Sequence, residues 1–169
     1  LSTIVSTPMT RVICEANGVH FEETFTGFKF MAEKISQYVA EGSYQYIMSF
    51  EESYGYMMGD YVRDKDAVTA SMMIAEMAAY YFQQGMTLLD AVDALYEKYG
   101  FFAERTLNIF MEGVDGPERM AALMARLRAT PPAELAGQPV IRMRDYRDGT
   151  VSVPGLGVVE QMPLSGSNV

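Results

Sequence analysis

Phe28-Lys29-Phe30-Met31-Ala32-Glu33-Lys34-Ile35-Ser36-Gln37-Tyr38-Val39-Ala40 is followed, across Glu41-Gly42-Ser43, by Tyr44-Gln45-Tyr46-Ile47-Met48-Ser49-Phe50. In the first run Phe28, Met31, Ile35 and Val39 recur at steps of three and four, which places them on one face of a helix, and Gly42 stops it. The second run is dense in aromatic and apolar residues and reads as a strand. A helix feeding a strand is the unit from which layered α/β domains are built.

The alternation extends both ways. Upstream, Thr3-Ile4-Val5-Ser6-Thr7 is β-branched and bounded by Pro8, and reads as the first strand. Residues 9–16 carry a helical pattern closed by Asn17-Gly18, and residues 19–26 read as a second strand ending at Gly27. Downstream, Asp66 is placed to N-cap a helix over residues 67–84, with Val68, Met72, Ala75, Met77 and Ala78 on its apolar face. Thr87 caps the next, with Asp90 in its first turn, Lys98 in its last and Gly100 closing it. Residues 101–111 read as a fourth strand and residues 117–129 as a last helix.

This pattern predicts an α/β fold, a three-layer domain with a mixed, mostly parallel four-stranded sheet between helices. Thr130-Pro131-Pro132 is the clearest boundary signal and divides the chain into residues 1–130 and 131–169. The second part is a linker and the start of a further domain, with residues 140–146 and 150–153 flanking Arg147-Asp148-Gly149 as a hairpin.

The composition bounds the function. The 169 residues are 49% hydrophobic, enough for a substantial core. Thirteen Lys and Arg against 22 Asp and Glu leave a charge of −9, so duplex nucleic acid, which is bound by cations, is not an expected partner. No run approaches the roughly 20 apolar residues of a membrane span, and no basic cluster suits anionic lipid. One cysteine, Cys14, excludes a disulfide framework and a Cys-rich zinc site, and the expected compartment is cytoplasmic. Leu1 opens in a strand and Leu164-Ser165-Gly166-Ser167-Asn168-Val169 stops in a polar turn, so the chain reads as an internal segment of a longer protein.

In an open α/β sheet ligands gather beyond the C-terminal ends of the strands. Two segments are placed there: Thr26-Gly27-Phe28-Lys29 and Glu51-Glu52-Ser53-Tyr54-Gly55. Paired carboxylates with a hydroxyl nearby suit vicinal sugar hydroxyls, because a carboxylate accepts from two of them and serine donates or accepts. On spacing alone, solvated loop charges or an acidic helix start fit Glu51 and Glu52 better than a sugar site does. Arg63-Asp64-Lys65-Asp66 sets two cations among acids before a helix, which suits a phosphate, but a cap with compensating surface ion pairs fits it better. His20, the single histidine, is expected at a strand edge, Cys14 in the core, and the methionines of residues 72–77 in packing. Asp145 and Asp148 lack the ligand spacing of a calcium loop, and no metal site is expected.

Three stretches then stand together: Thr26-Gly27-Phe28-Lys29-Phe30, Phe50-Glu51-Glu52-Ser53-Tyr54-Gly55-Tyr56 and Asp60-Tyr61-Val62-Arg63-Asp64-Lys65-Asp66-Ala67. In this order and spacing they resemble the third, sugar-binding domain of the α-D-phosphohexomutases, the bacterial phosphoglucomutase/phosphomannomutase group above all. The resemblance covers about residues 2–129, and the tail resembles the entry to the fourth domain. It implies an isomerase that interconverts hexose 1-phosphate and hexose 6-phosphate through a phosphoserine and a bisphosphorylated sugar. By that resemblance Glu51 and Ser53 hold sugar hydroxyls and Thr26 and Gly27 line the same pocket. Lys65 lies near the transferring phosphoryl group as the catalytic residue, Arg63 is its neighbour, and Glu52 supports the loop. Some relatives have glycine before the paired glutamates; this chain has Phe50.

The family's serine loop, its Asp-rich magnesium loop and its C-terminal phosphate loop are missing from these residues. The resemblance therefore implies Mg2+ bound elsewhere in the parent, a hexose phosphate and the parent's other domains as partners, and a segment inactive alone. Two alternatives stay open: a non-catalytic carbohydrate-binding or scaffold module, and a mutase for pentose or amino-sugar phosphates.

Overall fold

The computed structural model describes residues 1–166; Ser167, Asn168 and Val169 of the expected terminal turn lie outside the described residues. The chain divides into two compact units, residues 1–106 and 107–169.

In the first unit the elements run β1 (Ser2–Thr3), α1 (Met9–Ala16), β2 (Glu23–Thr24), α2 (Phe28–Glu41), β3 (Met48–Phe50), β4 (Tyr56–Met58), α3 (Ala67–Phe82) and α4 (Leu88–Tyr99). The strands form one sheet in the order β2-β1-β3-β4. Strand β1 runs parallel to both β2 and β3, and β4 returns antiparallel to β3, so the sheet is mixed and mostly parallel. The connection β1–α1–β2 steps toward one edge and β2–α2–β3 steps toward the other. Right-handed crossovers therefore put α1 and α2 on opposite faces, which makes the three layers.

The core lies under α2. Phe28, Met31 and Ile35 project from its inner face onto Met57 of β4, with Leu1 and Tyr46 packed at the margin. Each such side chain contributes about 1.5–3 kcal/mol by leaving water. Tyr46 donates from its hydroxyl to the Met57 carbonyl at 2.9 Å and lies 2.6 Å from the Ser49 hydroxyl, so both hydroxyls have partners at that edge. The fourth buried position of α2 is Tyr38, whereas Val39 is 64% exposed.

The caps form as their residue types dictate. Asp66 accepts from the Val68 N–H at 2.9 Å, and Thr87 with Asp90 forms a reciprocal capping box.

Several expected elements differ. The first strand ends at Thr3, because Ser6 N–H turns back to the Thr3 carbonyl at 3.0 Å. The fourth strand is Tyr56–Met58, and residues 101–111 carry no regular structure. The β3 edge is already taken by a hairpin that Glu51 N–H closes onto the Gly55 carbonyl at 2.9 Å. Helix α3 is apolar all round, so periodicity did not choose its inner face. Ala70 is its buried residue and Val68, Met72 and Met77 are exposed, since a small residue lets the helix approach β4. Cys14 is half-buried, and His20 lies exposed outside β2, its ring stacked on Tyr44 at 3.9 Å.

The second unit holds α5 (Gly116–Ala129), a hairpin of β5 (Glu134–Leu135) and β6 (Gln138–Pro139), and a meander of β7 (Met143–Asp145), β8 (Thr150–Val153) and β9 (Gly157–Gln161). The β7–β8 hairpin falls where Arg147-Asp148-Gly149 places it, while β5, β6 and β9 were not anticipated. Arg128 Nε donates to Asp145 Oδ2 at 2.7 Å and ties α5 to the meander. Among the described residues no helix is long and apolar enough to cross a membrane.

Candidate functional site

The C-terminal ends of the three parallel strands open onto three connections: residues 4–8, residues 25–27 and residues 51–55. The paired glutamates leave β3, and each reaches a different neighbour.

Glu51 turns toward α2. Its Oε1 accepts from the Gly27 N–H at 2.7 Å, and its Oε2 accepts from the Ser53 hydroxyl at 3.3 Å. Gly27 is the N-cap of α2 with φ 121°, a backbone that L side chains rarely adopt, and it is this conformation that aims the N–H at the carboxylate. The carboxylate thus sits buried at the positive end of a helix. Each carboxylate oxygen accepts about two hydrogen bonds, so one position on each remains after Gly27 and Ser53 are counted.

Glu52 turns the other way. Its Oε2 accepts from the Thr3 hydroxyl at 2.7 Å, and that hydroxyl lies 2.9 Å from the Ser6 hydroxyl, so the residue fastens the loop to the end of β1. Tyr54, at the apex, has φ 65°, a left-handed conformation that costs a side chain about 1–2 kcal/mol.

Phe28, the first residue of α2, lies beneath the loop. A Cβ added at Gly55 would stand 2.7 Å from Phe28 Cε2 and 3.5 Å from Glu51 Oε2, so only glycine fits between ring and carboxylate. The same ring lies 5.4 Å from Lys65 Nζ, within cation–π range. Lys65 is otherwise exposed and lies 3.3 Å from Asp64 Oδ1. Asp66 N–H donates to the Tyr56 carbonyl at 2.9 Å, which docks the Lys65 segment on β4. Asp64 is held below the usual carboxylate range by the Lys65 N–H and ammonium, and Asp66 by the Thr69 hydroxyl and Val68 N–H.

Of the residues singled out in the sequence, Glu51, Ser53 and Gly27 therefore meet directly, and Lys65 joins them across Phe28. Thr26 lies exposed next to Gly27. Arg63 donates to the Ser36 hydroxyl on the side of α2, away from the loop. Glu52 faces β1. Phe28 and Gly55 stand inside the motif stretches but had no role of their own there, and the helical periodicity marked Phe28 as core. Among the described residues no three His, Cys, Asp or Glu converge as metal ligands.

Residues 1–99 match the family described as phosphoglucomutase/phosphomannomutase, alpha/beta/alpha domain III. Two proteins named phosphoglucomutase from Staphylococcus aureus, of strains bovine RF122 / ET3-1 and N315, are 33% and 32% identical over all 169 residues. The chain spans about 30% of the length of these curated relatives. The domain match covers more than half of the chain and carries the glutamate loop, Gly27 and Lys65 within it. The chain belongs to the phosphoglucomutase/phosphomannomutase family and carries its alpha/beta/alpha domain III.

Proposed function

We propose that this chain is the sugar-recognition domain of a cytoplasmic phosphohexomutase that interconverts hexose 1-phosphate and hexose 6-phosphate. The observation that carries this is the Glu51 carboxylate, fixed by the Gly27 N–H and the Ser53 hydroxyl at the strand ends with accepting capacity left over. In this reading Glu51 and Ser53 take two neighbouring equatorial hydroxyls of the sugar, and Thr26 and Gly27 line the same pocket.

The reaction then runs as two phosphoryl transfers. A phosphoserine of the parent gives its phosphoryl group to the free hydroxyl of the sugar: the new O–P bond forms, the serine O–P bond breaks, and the proton given up by the sugar hydroxyl is matched by one taken up on the freed serine oxygen. The bisphosphate turns over in the cleft and returns its other phosphoryl group to the serine. Lys65 steadies the charge or assists the proton transfer, with Arg63 as its weaker neighbour. The serine, the magnesium ligands and the phosphate clamp belong to other domains of the parent, and residues 131–169 open the domain that follows. The segment alone is inactive.

The test uses the parent protein and the chain side by side. Glucose 1-phosphate at millimolar concentration is expected to shift the backbone NMR signals of Thr26, Gly27 and residues 51–53 in the chain, with Glu51→Ala removing the effect. In the parent, wild type converts glucose 1-phosphate to glucose 6-phosphate and Glu51→Ala loses most of that turnover. Shifts confined to other surfaces, or unchanged turnover in the variant, overturn the reading.

A further inference from the structure

We propose that Phe28 is a positioning residue for Lys65: one buried ring sets the height of the glutamate loop with its edge and holds the ammonium beside that loop with its face. This rests on the mutase reading above, in which Lys65 serves the transferring phosphoryl group.

The geometry gives the ring both tasks. Phe28 is 5% exposed, and its Cε2 and Cζ stand 2.7 and 3.2 Å from where a Gly55 Cβ would be, so its edge bears directly on the loop. Lys65 Nζ stands 5.4 Å from the ring centre. The segment that carries Lys65 is docked on α2 at a second point, where Arg63 donates to Ser36, and on β4 through Asp66 N–H and the Tyr56 carbonyl. Between these ties the exposed Asp64 carboxylate competes for the ammonium, and exposed ion pairs contribute little.

An aromatic ring suits this task better than a carboxylate or an aliphatic side chain would. A buried carboxylate partner would neutralise the ammonium and withdraw it from a phosphoryl group. An aliphatic side chain would pack under Gly55 equally well but offer the cation no negative face. The ring attracts the ammonium through its quadrupole and leaves the full positive charge available. At exposed sites that attraction corresponds to about a two- to five-fold preference for one placement, enough to bias a flexible lysine without locking it.

Fluorination tests the electrostatic part without changing the fold. Replacing Phe28 in the parent with mono-, di- and trifluorophenylalanine keeps the ring shape while draining its face of negative potential. The expected result is a stepwise fall in kcat, about two- to five-fold in all, with KM for glucose 1-phosphate unchanged. Phe28→Leu falls as far as the trifluoro ring, and in a Lys65→Met background fluorination has no further effect. In the 169-residue chain, the Lys65 ε-methylene protons are expected upfield of their ordinary position and return to it in Phe28→Leu. A flat fluorination series beside a damaged Lys65→Met enzyme overturns the proposal alone. Full kcat in Lys65→Met, with the upfield shift present, overturns the role of Lys65 on which the proposal rests.

Discussion

Gly55→Ala puts a single methyl group where the site has no room. The added Cβ meets Phe28 Cε2 at 2.7 Å and Cζ at 3.2 Å, against an ordinary carbon contact of about 3.5–4.0 Å. The ring or the loop must yield by about 1 Å, and the ring is wedged among Met31, Ile35 and Met57. Gly55 does not have a left-handed φ, so the alanine backbone itself is unstrained and the cost is one of space. Forced overpacking costs about 1–3 kcal/mol, which at a urea slope of about 2 kcal/mol/M lowers the midpoint by about 0.5–1.5 M. If the loop yields, Glu51 leaves Gly27, and the Gly27 amide proton moves upfield as it loses a 2.7 Å charged hydrogen bond. A displacement of 1 Å in a binding group costs about 100-fold in turnover of the parent. Adding Phe28→Leu relieves the clash, so the double variant is expected to be more stable than the sum of the single losses. An unchanged urea midpoint together with an unmoved Gly27 amide would refute this account of the loop.

Glu51→Gln replaces a charged acceptor by a neutral one at the Gly27 N–H; chemical denaturation should show a loss of about 1 kcal/mol, and turnover of the parent should fall about 10- to 100-fold. Tyr54→Gly relieves the left-handed residue at the loop apex, and after the added freedom of the unfolded chain the variant should gain up to about 1 kcal/mol. A loss of that size would instead mean that the exposed tyrosine ring holds the loop. Asp145→Asn removes the charge of the carboxylate from a mostly buried ion pair with Arg128 and should cost about 1–3 kcal/mol by urea unfolding. Burial alone would push the Asp145 carboxyl up, but Arg128 and the Arg147 N–H outweigh it and hold it below the usual range. A depressed carboxylate stabilises above its unfolded value of about 3.9 and loses that contribution as the pH falls through the folded value. Wild type should therefore lose stability below about pH 4 more steeply than the Asn variant, measured as thermal midpoint against pH.

What could be read from the sequence was what lies close along the chain. The 28, 31, 35 spacing of α2, the Asp66 and Thr87 caps and the β7–β8 hairpin are settled by neighbours a few residues apart, and they form as their residue types dictate. Strand identity depends on who pairs with whom. Phe101-Phe102-Ala103 and its continuation carry as much strand character as Tyr56-Met57-Met58, but the three-residue segment has a tight turn that delivers it to β3. The site divides in the same way. The motifs named Glu51, Gly27 and Lys65, but the Glu51–Gly27 bond spans 24 residues and the approach of Lys65 to Phe28 spans 37. Phe28 lay in plain view as the first member of a helical stripe, and nothing in a stripe says that a ring has a second face in use.

The separation of the paired glutamates is what makes the proposed sugar contact specific to one of them. Successive residues at a strand end point to opposite sides. Glu52 therefore goes to Thr3 and the β1 connection, where an exposed carboxylate and two hydroxyls close on one another. Glu51 goes to the helix end and is buried with one donor on each oxygen. A buried carboxylate with only two donors is under-satisfied, because desolvation is offset only by hydrogen bonds to the remaining lone pairs. Two vicinal hydroxyls supply that number. The two fixed donors hold the carboxylate in place without a ligand, so binding of the proposed sugar would not have to order it. Hydroxyls 3 and 4 nearly exchange places when the proposed bisphosphate turns over. A carboxylate fixed from behind, with one free position on each oxygen, then meets the same pair of donors in either orientation. Glu52 has no such symmetry, since its Oε2 already accepts from Thr3 on one side alone.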